Sequence, residues 1–86
     1  MGELDEIVRC VGGGVVSHVC GLLARDFDVW GHGLPDLVLW NSVAATALLV
    51  EVKGPGDSLS HAQTAWIHQL IEAGAAVELC HVQRPR

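Results

Sequence analysis

Positive charge is scarce in this chain. Of 86 residues one is lysine, Lys53, and four are arginine (Arg9, Arg25, Arg84, Arg86), against ten acidic residues and a net charge of −5. Proteins that grip nucleic acid with their own surface set Lys and Arg against phosphates. With Lys53 at an active site, little is left to hold a duplex. Aromatics are few: three Trp, one Phe and no Tyr. Trp66 sits in a helical apolar stripe and reads as core, not as a platform for stacking bases. No apolar run reaches the roughly 18 to 20 residues that span a bilayer, and the acidic start (Glu3, Asp5, Glu6) is unlike a secretory signal. No membrane partner is expected. Three cysteines, at 10, 20 and 80, form an odd set without close pairs. That pattern favours a reducing compartment and free, mostly buried thiols.

What is present argues for a folded chain. Half of the residues are hydrophobic and 17% are charged, which excludes a disordered composition. Eighty-six residues allow one domain, 1–86, with a core small enough to be marginal alone. Leu4, Ile7, Val8 and Val11 recur at helical spacing, so a first helix is expected over 3–10. Gly12-Gly13-Gly14 breaks it. A second helix follows over 15–25 with Val16, Val19, Leu22 and Leu23 as its stripe. The alternating stretch 26–30 reads as an edge strand or extended loop. Strands are expected over 36–40 and 46–52, both nearly continuous in apolar residues and so buried on both faces, with a turn at 41–45. A helix over 59–73 turns Trp66, Ile67 and Leu70 inward and stops at Gly74. A last strand covers 76–82. The strand–helix–strand unit from 46 to 82 reads as a right-handed crossover between parallel strands. The class is α/β, a mixed sheet flanked by helices.

The chemistry concentrates between Gly33 and Gln63. Asp36 follows Pro35 at a strand start, where a bland reading makes it a turn residue capping local amides. Glu51 interrupts an apolar strand, and a carboxylate there must be paired or bound to metal. Lys53 lies two residues on, on the same face, so an ion pair with Glu51 is the plain alternative. If the two strands pair, Asp36 joins them. Two acids and a lysine at one spot suit a divalent cation and a phosphodiester. Ser60-His61-Ala62-Gln63 is a capping box, in which Gln63 covers the helix start. The five histidines show no metal-ligand spacing: His81 and Cys80 face opposite sides of their strand and form no zinc pair. His61 is placed to touch phosphate, though a histidine at a helix start is more often merely exposed.

Pro35-Asp36 with Glu51-Val52-Lys53 resembles the PD-(D/E)XK nuclease superfamily. Gly33-Leu-Pro-Asp-Leu-Val-Leu-Trp-Asn41, Val50-Glu-Val-Lys-Gly-Pro-Gly-Asp57, Leu59-Ser-His-Ala-Gln63 and Glu78-Leu-Cys-His-Val82 together resemble the virus-type replication-repair nuclease (VRR-Nuc) domain. The similarity, over roughly 7–82, is greatest to the C-terminal end of the Fanconi-associated nucleases. The resemblance implies a restriction-endonuclease-like core in the last piece of a longer protein. It implies a Mg²⁺ or Mn²⁺ site formed by Asp36, Glu51 and the Val52 backbone carbonyl, with Lys53 acting on the attacking water and the phosphate, and Gln63 beside them. The superfamily adds an acid from its first helix. In Fanconi-associated nucleases it lies far upstream of the Gly-Leu-Pro-Asp block, and here only Glu6, or Glu3, could serve; both also fit a solvated helix start. The implied activity is 5′-flap and 5′-to-3′ exonuclease cleavage of branched DNA in crosslink repair, in the nucleus, with other domains or repair proteins as partners. Two alternatives are a dimeric viral-type junction-resolving nuclease and an inactive scaffolding fragment that lacks the helix glutamate.

Overall fold

The computed structural model describes residues 2–83. Helix α1 (Glu3–Val11) carries Glu3, Asp5 and Glu6 in its first turn and Arg9 in its last, which complements the helix dipole at both ends. It ends at Gly12, whose φ of 102° lies in the region open to glycine. Helix α2 (Gly13–Arg25) starts at once, bent from α1 by 95°. Gly13 and Gly14 therefore belong to the second helix, and only Gly12 makes the break. No single helix among the described residues is long and apolar enough to cross a membrane.

Residues 27–30 are not extended. Phe27–Trp30 is a single helical turn, α3, because the Asp26 side chain accepts a hydrogen bond from the Val29 amide at 3.2 Å. The alternation that suggests a strand there is outweighed by this local cap. Strands β1 (Leu37–Asn41) and β2 (Thr46–Lys53) form an antiparallel hairpin. Its turn is closed by the Asn41 side chain, which accepts from the amides of Val43 and Ala44 at 3.0 and 3.1 Å. Helix α4 (His61–Glu72) then returns the chain to β3 (Val77–His81), parallel to β2. The sheet order is β1-β2-β3. The predicted core of mixed sheet and flanking helices is present, with three helical segments before the hairpin.

Helix α4 has strong start and stop signals. Ser60 and Gln63 exchange the two bonds of a capping box, which moves the start two residues past the predicted one. At the other end Gly74, with φ 99°, lets the Ala75 amide reach the Leu70 carbonyl and its own amide reach Ile71, the 6→1 and 5→2 pair of a Schellman motif.

The core gathers Val15 and Leu22 of α2, Leu49 of β2, and Trp66 and Leu70 of α4. Trp66 is fully buried, donates its indole N–H to the Trp30 carbonyl at 2.9 Å, and meets the Trp30 ring edge-on at 5.1 Å between centroids. Trp30, three residues from the Gly33 block, is thereby tied to the middle of α4. Ile67 stays half-buried beside it. Strand β1 departs from expectation: every residue in it is exposed, Leu37 and Leu39 by 48% and 54%. It is an edge strand, and the core helices pack against the Leu49 side of the sheet, so its apolar run does not mean burial on both faces. The cysteines also differ from the reading. Cys10 is buried, while Cys20 and Cys80 are exposed. Cys20 lines an open apolar cavity of about 240 Å³ with Val16, Val19, Leu34 and Pro35.

Candidate metal and phosphodiester site

The hairpin register builds the site. Leu37 pairs with Val50, so one step outward Asp36 stands opposite Glu51. Residues opposite one another share a face, and the two carboxyl groups come within hydrogen-bonding reach. Asp36 Oδ2 also accepts from the Val52 amide at 3.2 Å, which fixes it just before the strand begins. Lys53 follows Glu51 by two residues on the same face, half-buried. The same-face reading of Glu51 and Lys53, and Asp36 joining them by strand pairing, both hold.

The approach to Asp36 is set by Gly33. Its φ is 96°, and a Cβ there would lie 2.6 Å from the Ala62 carbonyl carbon and 2.8 Å from the Gln63 nitrogen. Only glycine lets this loop press against the first turn of α4. The site is thus framed by the Gly33–Asp36 loop, the end of β2 and the start of α4. The loop after Lys53 is closed on itself: Asp57 accepts from the Gly54 amide at 3.2 Å, and its own amide donates to the Gly54 carbonyl.

Glu51 is the anomaly. It is 1% exposed, the only buried charged residue among those described, and its Oε1 has no hydrogen-bond partner. Burial pushes its carboxyl above the usual range, first by loss of solvent and then through contact with Asp36 and its charge; Lys53 opposes this. Asp36 moves the other way. The Glu51 carboxyl beside it, then the Val52 amide and Lys53, hold it below the usual range. The contact therefore biases Glu51 towards its neutral form and Asp36 towards its ionised form. Two carboxyl groups in contact, one with an orphaned buried oxygen, are a donor set that a hard dication satisfies.

The other candidates fall differently. Gln63 does form the capping box: its Oε1 accepts from the Ser60 amide at 2.9 Å, while its backbone lies against Gly33. It is near the site with its carbonyl oxygen engaged. Glu6 is not brought to the pair. It accepts from Ser42 Oγ at 2.8 Å, at the far end of the hairpin. The five residues of β1 separate Ser42 from Asp36, a span of roughly 20 Å, so Glu6 does not ligate a cation between Asp36 and Glu51. Glu3, at the start of the same helix, is exposed. Among the described residues no group of three His, Cys, Asp or Glu is arranged to hold a metal ion. His61 is exposed. His81, which its own strand pattern gives no reason to place here, stands opposite Lys53 in the parallel register.

Comparison with known proteins agrees with the fold. The profile of the VRR-NUC domain matches residues 1–84. Fanconi-associated nuclease 1 of Homo sapiens is 52% identical over 80 residues, covering 93% of this chain and 8% of that protein. The Arabidopsis thaliana homolog is 42% identical over 85 residues, covering 94% of this chain and 10% of its own. The chain thus spans about a tenth of the length of these relatives. A crystal structure of paFAN1 bound to DNA with a two-nucleotide 5′ flap and a gap superposes with a TM-score of 0.84 at 29% identity, covering all of this chain and 16% of that one.

Proposed function

Because the chain belongs to the VRR-NUC family, we propose that residues 1–86 form one nuclease unit that hydrolyses DNA phosphodiester bonds with Mg²⁺ or Mn²⁺. The observation that carries this is Glu51: a buried carboxylate with an unpartnered oxygen, aimed at a second carboxylate, on the face that also bears the only lysine. Asp36, Glu51 and the Val52 carbonyl would hold the cation. When bound, it lowers the pKa of a water and offsets phosphate charge, which matters in a chain of net charge −5. Lys53 orients the water and steadies charge developing on the phosphate. Gln63 acts by fixing the start of α4 against the Gly33 loop, with its amide N–H₂ as a further donor at this end.

The finer reading is structure-selective: cleavage at 5′ flaps and 5′-to-3′ exonuclease action in crosslink repair, in the nucleus, with the duplex held by other domains of a longer chain or by partner proteins. It is supported by the flap DNA in the paFAN1 structure and by the names of the relatives. One observation favours a second reading, a scaffolding fragment without turnover: α1 brings no acid to the pair. The test is cleavage of a labelled 5′-flap DNA in Mn²⁺ by the chain and by Asp36→Ala. Cleavage lost in the variant supports the nuclease. Mn²⁺ binding by calorimetry without cleavage supports a site lacking one ligand. Absence of both overturns the enzymatic reading.

A further inference from the structure

We propose that His81 is a phosphate-contacting residue of this site, donating an imidazole N–H to a non-bridging oxygen of the DNA phosphodiester beside Lys53; this rests on the nuclease reading above. Three observations converge on it. The first is register. In the parallel pairing of β2 with β3, Leu49 stands opposite Val77, Glu51 opposite Leu79 and Lys53 opposite His81. The pairing is intact to the end, since the Val82 amide donates to the Lys53 carbonyl at 2.8 Å. Paired residues share a face, so His81 lies on the face of Glu51 and Lys53, one strand over. Neighbouring strands are about 4.8 Å apart, which puts the imidazole and the ammonium within reach of one phosphate group.

The second is position in the topology. Lys53 and His81 are the last residues of two parallel strands joined through α4. The carboxyl ends of parallel strands are the side of the sheet on which α/β folds place their ligands. The third is availability. The His81 side chain is exposed and has no hydrogen-bond or ion-pair partner among the described residues. The other described cations are elsewhere: Arg9 is bonded to the Ser42 carbonyl at the far end of the hairpin, and Arg25 ends α2. A phosphate entering next to Asp36 and Glu51 would otherwise meet one cationic side chain in an acidic chain. A neutral imidazole always carries one N–H donor, so the contact needs no change of charge. The class of ligand is a phosphodiester, which His81 would help hold in place beside the acid pair.

The test compares the chain with His81→Ala and His81→Gln. Binding of a fluorescein-labelled 5′-flap DNA is followed by anisotropy in Ca²⁺, cleavage is measured in Mn²⁺, and thermal unfolding reports folding. The expected result is a roughly ten-fold loss of DNA affinity and a matching rise in KM for His81→Ala. His81→Gln, whose amide N–H reaches a similar distance, recovers most of the loss. Mn²⁺ affinity by calorimetry stays equal in all three. Folded His81→Ala with unchanged binding and KM overturns the assignment while leaving the nuclease reading in place. Equal loss in both variants without a change in unfolding temperature also overturns it, because a donor would have been rescued. If the unaltered chain neither binds nor cleaves the DNA, His81 and the nuclease reading fall together.

Discussion

Replacing Glu51 by glutamine should stabilise the metal-free protein at neutral pH and abolish its response to divalent cations. Glu51 is buried, and its Oε1 is unpartnered. Its carboxyl is raised by burial first and by Asp36 second. A raised carboxyl works against stability as pH rises. Below the ordinary carboxylate range both folded and unfolded chains hold the proton, and nothing is lost. Above that range the unfolded chain releases it first, so stability falls until the folded carboxyl ionises too. Asp36, lowered instead, contributes stability above the ordinary range and loses it only as pH falls through its folded value. The two opposite slopes therefore lie on opposite sides of the ordinary range, and the loss that begins as pH rises above it belongs to Glu51.

In Glu51→Gln the new side-chain amide would donate an N–H to Asp36 without a titrating group of its own. A hydrogen bond from a neutral donor to a charged acceptor is worth about 1.5–3 kcal/mol, and a domain of this size moves about 4–8 °C in Tm per kcal/mol. Without metal, Glu51→Gln should thus melt several degrees above the unaltered chain at pH 8, with the gap closing towards pH 4. Saturating Mn²⁺ reverses the order. At one hundred times Kd, binding adds about 2.7 kcal/mol to the unaltered chain and nothing to the variant. Thermal unfolding by circular dichroism across pH, with chelator or with Mn²⁺, measures both. A variant less stable than the unaltered chain at pH 8 in chelator, or Mn²⁺ raising both alike, would refute the reasoning.

Other outcomes follow from the same structure. Gly33→Ala combines a φ of 96° with a backbone approach of 2.6 Å, so it should cost more than about 1 kcal/mol and displace the start of α4, seen as a lower Tm. Ser60→Ala removes one half of the capping box and should cost about 1 kcal/mol; Gln63→Ala should match it in stability and, if Gln63 also serves the site, lose more cleavage. Trp66→Phe leaves the Trp30 carbonyl without its donor and opens space in the core, for a loss of about 1–3 kcal/mol in denaturant unfolding. Lys53→Ala should leave stability within about 0.5 kcal/mol of the unaltered chain while reducing cleavage of the flap substrate roughly 100-fold.

The parts legible in the sequence are those where one local pattern has one physical outcome. Ser60-x-x-Gln63 specifies a capping box and makes one; Gly74 specifies the end of α4 and closes it. Glu51 and Lys53 share a face because strand periodicity permits nothing else. Asp36 joins them because the turn at 41–45 closes a hairpin in which Leu37 pairs with Val50, and that pairing sets Asp36 opposite Glu51. Misreadings arise where a local signal depends on what lies alongside. The alternation in 27–30 gives way to the Asp26 side chain. The apolar run in β1 reads as burial, yet burial depends on which strands and helices stand beside it. The sequence weighs His81 only as a zinc ligand, because its place opposite Lys53 is a relation between strands that the parallel register makes visible.

Glu6 shows the same point from the other side. As an acid on the first helix it is a reasonable ligand by analogy, but α1 makes its polar contacts at the closed end of the hairpin. Glu6 accepts from Ser42 Oγ, Arg9 donates to the Ser42 carbonyl at 3.0 Å, and Cys10 donates to the Asn41 carbonyl at 3.5 Å. Three side chains of one helix therefore grip the two residues where β1 enters the turn. A one-residue slip in a hairpin moves every side chain to the other face, and here it would carry Asp36 away from Glu51. The turn is held without glycine, by Asn41 and by Ala45 at φ 54°, so by its own residues it fixes register weakly. The acid pair at one end of the hairpin thus depends on the grip at the other, and α1 serves the site by holding the register that brings Asp36 opposite Glu51.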